Sequence, residues 1–564
     1  MLENEIHPFN QPWLAHYDPD VPVSFKPYPE KTLLDIVENV AQTRPNQPAL
    51  LFKGSRISYG DFDRLTNAFA VALVELGVRK GDRIALLMPN CPQMMIAEFG
   101  AHKAGAIVAP LNPLYTAREL ENAFIETGAE FVVVLSRFYD KVKSIQDKTL
   151  LRRVIVTNIK EYLPPVLRFL YTYVKEKKEG DRVQVQKGDL LMADLIHNQL
   201  GQSRPLIEIK PGDAAILLFS GGTTGVPKCA IGTHQGLVIS GMQLFAWFKS
   251  VLIEWQDIIM LNLPLFHVYA QAGVMPTGIV AHTPLALIPN PRDMDDLLET
   301  IHKVRPAFLP GVPTLFNAMT NHPLITSGKL NLRSLKLCIS GAAPLHAETK
   351  KRFEEITGGK ILEGFGMTET MMAAIVNPVH GVYKIGSIGM PLPDVEARIV
   401  DSEIGETDLP VGEVGELLIR APQSMKGYLQ RPTETANSLR DGWLYTGDLA
   451  YMDEDGYFFI VDRKKDVIKV SGFQVWPREV EEVLAAHPAV QEVGVAGIPD
   501  SEQGEAVKAW VVLQPGMTVS GDELRKFCKT QLAAYKVPRN IEFREALPKS
   551  MVGKVLRREL TAEK

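Results

Sequence analysis

The sequence predicts an α/β protein of at least two domains, the last of them a small α+β unit. Three observations carry that expectation. Strand-like and helix-like segments alternate from about Thr32 onward, the pattern of an α/β architecture. The chain has 564 residues, more than the roughly 250 to 300 that one hydrophobic core organises. Near Asp462 the texture changes, where VDRKKD (461–466) forms a dense charge cluster that reads as a linker.

Taken in order, LTNAFAVALVELG (65–77) reads as a helix ending at Gly77, and DRIALLMPN (82–90) as a short buried strand. Between Asp257 and Arg292 no Asp, Glu, Lys or Arg occurs, so length alone would permit a membrane span. Pro264, Pro276, Pro284 and Pro289 interrupt it, however, and Asn262, His267, Gln271 and His282 would each need a partner in hydrocarbon. A buried interior segment is expected instead. Beyond the charge cluster, VIKVSGFQV (467–475) has strand character. WPREVEEVLAAHP (476–488) reads as a helix with Pro477 at its first position and Val480, Val483, Leu484 and His487 along one face. AVQEVGVAGIP (489–499) and AVKAWVVLQP (506–515) read as strands and GDELRKFCKTQL (521–532) as a helix. The last hundred or so residues thus have the size of a small domain.

Composition narrows the function. Hydrophobic residues make up 46% and charged residues 23%, as in ordinary globular proteins, and a net charge of −5 argues against a nucleic-acid partner. Cys91, Cys229, Cys338 and Cys528 are scattered, without the spacing of a zinc site or a disulfide framework, which suits a reducing compartment. The first residues, MLENEIHPFNQPW, lack the apolar block of a secretory signal, so a cytoplasmic location is expected. The stretch EYLPPVLRFLYTYVKEKKEGDR (161–182) puts apolar and aromatic residues before several lysines. It could be an amphipathic surface helix in peripheral contact with a membrane. Packing on its own domain is the preferred reading.

The chemistry begins at SGGTTGVPK (220–228), directly after the apolar run AAILLF. Gly221, Gly222 and Gly225 let the backbone approach a ligand, Ser220, Thr223 and Thr224 offer hydroxyls, and Lys228 brings a cation. That inventory suits a polyphosphate. It is not the P-loop, which needs Gly before the lysine and Ser or Thr after it, whereas Pro227 and Cys229 flank Lys228. The GxGxxG dinucleotide pattern is missing too.

Three further stretches settle the context: EGFGMTET (363–370), DGWLYTGDLAYMDEDGYFFIVDRKKD (441–466) and LPKSMVGKVLRREL (547–560). Together with SGGTTGVPK they resemble, in order and spacing and along nearly the whole chain, the adenylate-forming superfamily. The likeness is to acyl-CoA synthetases, and PKSMVGK is similar to the lysine motif of bacterial long-chain fatty acyl-CoA synthetases. The resemblance implies a large N-terminal domain of several sheets packed with helices (1–462) and a small mobile C-terminal lid (463–564). It also implies two half-reactions in one cleft: a carboxylate attacks ATP to give an acyl-adenylate and pyrophosphate, then the thiol of coenzyme A displaces AMP.

By the same resemblance, Lys228 and the loop hydroxyls would hold the β- and γ-phosphates. Glu369 would ligate Mg²⁺ and Thr368 would bond the α-phosphate. Phe365 and Gly366, with Ala342 and Ala343 of SGAAPL (340–345), would enclose the adenine. Phe365 departs from the tyrosine of many relatives and forfeits a hydroxyl, and Cys229 departs from a usual glycine. Asp448 would accept both ribose hydroxyls and Arg463 would add a donor. Lys554 would bridge the carboxylate and the α-phosphate in adenylation, although beside Arg557 and Arg558 it reads on its own as part of a solvated charge run. Lys465 falls at the hinge position and Gly472 on the coenzyme A path, where a β-bulge glycine is the plainer reading. His267 would gate the carboxylate pocket, against the plainer reading of a satisfied core histidine.

The expected activity is ATP- and Mg²⁺-dependent ligation of a long-chain fatty acid to coenzyme A. A medium-chain or aryl acid:CoA ligase would share every nucleotide motif, and a fatty acyl-AMP ligase would use no free coenzyme A. The oligomeric state stays open, a homodimer being one option.

Overall fold

The structure is a computed structural model that describes residues 11–220, 228–341, 345, 347–403, 405–471, 473–500, 502–549 and 555–562. Four sheets organise it. In the seven-stranded sheet the strands run, in spatial order, Leu190–Leu191, Arg153–Thr157, Phe131–Leu135, Arg83–Leu87, Ile107–Pro110, Ala214–Ser220 and Lys228–Thr233. All neighbours are parallel except the last pair, which is antiparallel. Parallel strands are covered on both faces and so read as unbroken apolar runs; FVVVL (131–135) is buried at every position.

The nine-stranded sheet is parallel at its centre, where Ile259–Leu261, Phe308–Gly311, Leu337–Ser340 and Lys360–Met367 lie side by side. Its far side is closed by the hairpin Pro48–Phe52/Ser55–Ser58, joined in parallel to the much later strand Leu285–Leu287 through Leu50 opposite Leu285. The helix Pro92–Lys103 is buried along its whole length, within the apolar cluster that draws on both sheets. The expected helix over 65–77 begins earlier, at Tyr59, where the Ser58 hydroxyl caps the Asp61 amide at 3.1 Å. It ends as expected before Gly77, whose φ of +92° closes the turn.

An antiparallel sheet of Glu396–Val400, Gly415–Arg420, Leu439–Arg440, Trp443–Met452 and Phe458–Arg463 follows. The small C-terminal unit then builds its own sheet from Ile468–Val470, Phe473–Val475, Val490–Asp500, Gly504–Leu513 and Asn540–Phe543. Its core includes Val480, Leu484, Val495, Val511 and Leu524. The helices Pro477–Ala485, with Pro at its start, and Gly521–Lys529 match expectation. The first stops two residues short of His487, which packs edge-on against Phe527 at 5.0 Å instead of extending the helical face.

The uncharged interval is interior, as expected. It forms strands Ile259–Leu261 and Leu285–Leu287 around the π-helical turn Tyr269–Val274 and helix Met275–Val280. Its polar side chains are answered within the protein: Asn262 donates to the Pro310 carbonyl at 3.0 Å, Gln271 to buried Glu98, and His282 meets Glu254 at 2.8 Å. Among the described residues no helix is long and apolar enough to cross a membrane. The four cysteines are free and buried.

The stretch 161–182 follows the preferred reading only at its start, where Tyr162 and Leu163 pack against the main core. From Pro165 to Leu170 every side chain is exposed. Beyond that the inward contacts are polar, through Tyr171, Glu176 and Asp181.

Candidate active site

The ends of three strands from two sheets define the site. Ser220 closes Ala214–Ser220, and Lys228 opens the antiparallel strand beside it, the two residues standing opposite each other in register. Gly221, Gly222, Thr223, Thr224 and Gly225 lie outside the described residues. Cys229 faces inward, fully buried, and burial pushes its thiol up to about 12. It packs with Ala109, Leu217 and Leu429 and leaves Lys228 at the strand's start.

Across from these two strands, Lys360–Met367 turns back on Met372–Val376 as an antiparallel pair. The turn holds Thr368 and Glu369, so Glu369 sits at a hairpin tip and not in the first turn of a helix. Thr370 ties the turn, its hydroxyl accepting from the Met367 amide at 2.9 Å and donating to the Met372 carbonyl at 2.6 Å. The backbone is strained just behind it, with φ of +48° at Met371 and +98° at Met372. Gly366 lies so close to this turn that a Cβ would fall 2.2 Å from the Met372 carbonyl oxygen. Phe365, beside it, is half-buried. Ala342 and Ala343 lie outside the described residues.

Glu369 is buried, and the Tyr428 hydroxyl donates to its Oε1 at 2.6 Å. The Lys228 ammonium stands 5.0 Å from the centre of the same Tyr428 ring. Burial, reinforced by the Glu369 carboxylate, holds the Tyr428 phenol well above its ordinary range, so it remains a donor. Residues 426–429 run along the outer edge of Lys228–Thr233, with the Leu429 amide donating to the Cys229 carbonyl at 2.7 Å. That pairing is what carries Tyr428 to the site. Sequence reasoning missed Tyr428, and no signal in SMKGYLQRP (424–432) sets it apart from an ordinary packing tyrosine.

The donor set fits a hard cation. One Glu369 oxygen is fixed by Tyr428, and the other accepts no hydrogen bond from the described residues. Among those residues no group of three His, Cys, Asp or Glu could cage a metal by itself. Mg²⁺ characteristically binds through one or two carboxylates together with substrate phosphates and water, which is the coordination such a site can offer.

Asp448 and Arg463 face each other on paired antiparallel strands, with Nε and Oδ1 3.3 Å apart and the carboxylate almost fully buried. Lys465 is exposed in the turn between Phe458–Arg463 and Ile468–Val470. Gly472 and Lys554 lie outside the described residues. The turn is spanned by a latch that the sequence reading did not foresee. Buried Asp462 accepts from the Arg478 amide at 2.7 Å and from Arg557 at 3.0 Å, and Arg557 also reaches Asp466 at 3.2 Å and Glu481 at 2.8 Å. Arg557 is therefore no member of a solvated charge run. Burial would lower its pKa, and the surrounding carboxylates more than reverse that.

Behind the Glu369 turn lies a partly open cavity of about 70 Å³. Among the described residues no charged side chain lines it; Leu244, Phe248, Phe308, Met372 and Val376 are typical of its walls. Two of its polar groups are turned to backbone, Tyr269 donating to Ile339 at 2.9 Å and Thr277 to Gly273 at 2.7 Å. The third is His267, which accepts from the Tyr269 amide at 3.2 Å and whose pKa burial depresses to about 4. It is a neutral imidazole at the wall of an apolar chamber that also touches Gly341, Gly364 and Gly366. The structure thus brings His267 and Gly366 to one cavity and Lys228, Tyr428 and Glu369 to another place beside it, whereas Phe365 does not line that cavity.

The chain matches the model of the AMP-binding enzyme family over residues 37–429 and that of the AMP-binding enzyme C-terminal domain over residues 479–554. It is 40% identical to the long-chain-fatty-acid–CoA ligase of Bacillus subtilis (strain 168), with 98% of each chain covered. Its fold is that of ATP-bound MatB from Rhodopseudomonas palustris, at 28% identity and a TM-score of 0.80 over 94% of this chain and 98% of the other. It is also that of the anthranilate CoA ligase AuaEII in complex with anthranoyl-AMP, at 28% identity and a TM-score of 0.81 over 96% and 97% of the two chains.

Proposed function

The chain belongs to the AMP-binding enzyme family, and from that premise we propose that it joins a long-chain fatty acid to coenzyme A, with ATP cleaved to AMP and pyrophosphate. The observation that carries the reading is the junction of a charged pocket, Lys228–Tyr428–Glu369, with an apolar chamber that has no charged wall among the described residues.

In the first half-reaction a carboxylate oxygen of the acid forms a bond to the α-phosphorus while the bond from that phosphorus to the pyrophosphate oxygen breaks. Lys228, with Ser220 and residues 221–227, holds the departing β- and γ-phosphates. Glu369, oriented by Tyr428, is the protein's ligand for Mg²⁺, which when bound neutralises phosphate charge. Thr368 and Lys554 bond the α-phosphate, and Lys554 also meets the incoming carboxylate. Asp448, held against Arg463, takes the ribose hydroxyls, and Phe365, Gly366, Ala342 and Ala343 enclose the base. His267, neutral and desolvated, closes the carboxylate end of the chamber without placing a charge beside the acyl chain.

In the second half-reaction the thiol sulfur bonds to the acyl carbonyl carbon, the carbon–oxygen bond to AMP breaks, and the thiol proton leaves to solvent. The domains are taken as 1–462 and 463–564, turning about Lys465, with coenzyme A arriving past Gly472. The protein works in the cytoplasm and meets membranes only at their surface.

The test is release of AMP, with and without coenzyme A, across acids from benzoate and octanoate to palmitate and oleate. Coenzyme A-dependent release that peaks at the long acids is expected. A peak at benzoate or octanoate replaces the substrate class, and pyrophosphate release without thioester identifies an acyl-AMP ligase instead.

A further inference from the structure

We infer that residues 165–178 form a docking surface for an anionic lipid bilayer. The segment runs as helix Pro165–Leu170 and continues through the π-helical turn Tyr171–Lys175. Val166, Phe169, Tyr173 and Val174 are 72%, 62%, 74% and 67% exposed, and the Phe169 and Tyr173 rings lie against each other at 4.7 Å. So contiguous an exposed apolar face on a soluble protein marks an interaction site.

The charges around that face are sorted by sign. Glu176 and Asp181 are folded into the domain, 5% and 1% exposed. Glu176 is held by Lys160 and Asn158, and Asp181 by Ser136 and Arg137, while Tyr171 turns its hydroxyl inward to the same aspartate. Arg168, Lys175, Lys177 and Lys178 stay on the outside, with Glu179 at the rim 3.7 Å from Arg137. The chain as a whole carries −5, so this basic apron opposes the overall balance. An apolar ridge with a cationic border, with Glu176 and Asp181 withdrawn and only Glu179 left at its rim, complements anionic headgroups above acyl chains. A second copy of the chain fits it poorly, because a two-fold contact would set the same cationic border against itself.

The inference rests on the long-chain reading only for its purpose, which is to let a poorly soluble acid reach the chamber from the bilayer. Its test does not. The full chain is sedimented with vesicles of phosphatidylcholine, with and without phosphatidylglycerol. Binding to the phosphatidylglycerol vesicles is expected, weakened by salt. About tenfold weaker partition is expected both for Phe169→Ser/Tyr173→Ser and for Lys175→Glu/Lys177→Glu/Lys178→Glu. Turnover of dissolved octanoate, and the melting temperature, should be the same in all three proteins. Equal sedimentation of the three, or none by the parent chain, overturns the proposal. So does a dimer in solution that Phe169→Ser/Tyr173→Ser dissociates, which assigns the face to a second copy. If the vesicles are bound but long acids are not turned over, the substrate reading fails and the docking surface stands.

Discussion

The two sides of the cleft are built on opposite principles. The phosphate side is ionic and exactingly paired: Tyr428 fixes Glu369, Lys228 lies over Tyr428, and Arg463 meets Asp448. Among the described residues the acyl side has no charge on its walls, turns two of its three polar side chains onto backbone carbonyls and leaves the third, His267, neutral. Charge can be stabilised on one side because each group has a partner in reach, and the other side stays dry because nothing there asks for water. Both sides meet at one β-hairpin, Lys360–Met367/Met372–Val376, whose tip carries Glu369 and whose returning strand supplies Met372 and Val376 to the chamber.

If the contrast is real, damage to the ionic side should cost rate and damage to the apolar side should change selectivity. The largest effect is expected from Glu369→Gln, which removes the one carboxylate charge at the hairpin tip. Pyrophosphate release should fall by roughly 10² to 10³ with the melting temperature little changed, and near-parental rates at low Mg²⁺ would remove Glu369 from the metal site. Tyr428→Phe keeps the ring under Lys228 and deletes only the hydroxyl. A loss of about tenfold, with more Mg²⁺ needed for half-maximal rate, is expected from a hydrogen bond to a charged group; an unchanged Mg²⁺ requirement would make Tyr428 a packing residue.

On the apolar side, Gly273→Ala would place a methyl 2.5 Å from Met372 Cγ, which must then move into the chamber. The ratio of kcat/KM for long over medium acids should drop by roughly fourfold for each methylene displaced, whereas a uniform loss at every chain length would argue that the glycine serves only folding. The smallest effect concerns pH. His267 titrates near 4 in the folded protein against 6.5 ordinarily. Between those values the unfolded chain binds a proton that the folded one does not, so stability falls as pH drops from 6.5 toward 4. His234, lowered first by burial and then by neighbouring His102, acts in the same direction. Melting curves of His267→Gln should therefore show a shallower, not a vanished, decline over that window, and an identical slope would mean that His267 is solvated.

That contrast also explains what the sequence could disclose. Phosphates impose residue types at short spacing, so Lys228, Glu369, Asp448 and Arg463 stand out within compact motifs, and the C-terminal unit is legible from its strand and helix periods. The chamber is assembled from five separate stretches by shape alone, and any of Leu244, Phe308 or Val376 could equally be core. Tyr428 and Arg557 act through partners 59 and 95 residues away, separations at which no local pattern survives. The stretch 161–182 is only partly legible for a related reason: its composition specifies an amphipathic helix, but only the fold shows that beyond Tyr162 and Leu163, which pack on the core, Glu176 and Asp181 face inward while the apolar residues face out.

The closure of the nine-stranded sheet by Leu50 opposite Leu285 has a consequence for biosynthesis. The hairpin Pro48–Phe52/Ser55–Ser58 emerges early, yet the strand that completes its other edge follows about 235 residues later. At roughly 5 to 20 residues per second on the ribosome, that interval is on the order of 10 to 50 s. Throughout it the apolar edge PALLF has no neighbour of its own, and an unpaired edge is a template for the wrong strand. The nascent chain therefore passes through a period of exposure to misassociation, and slowed translation between the two strands should lower the yield of native protein without altering the protein that does fold.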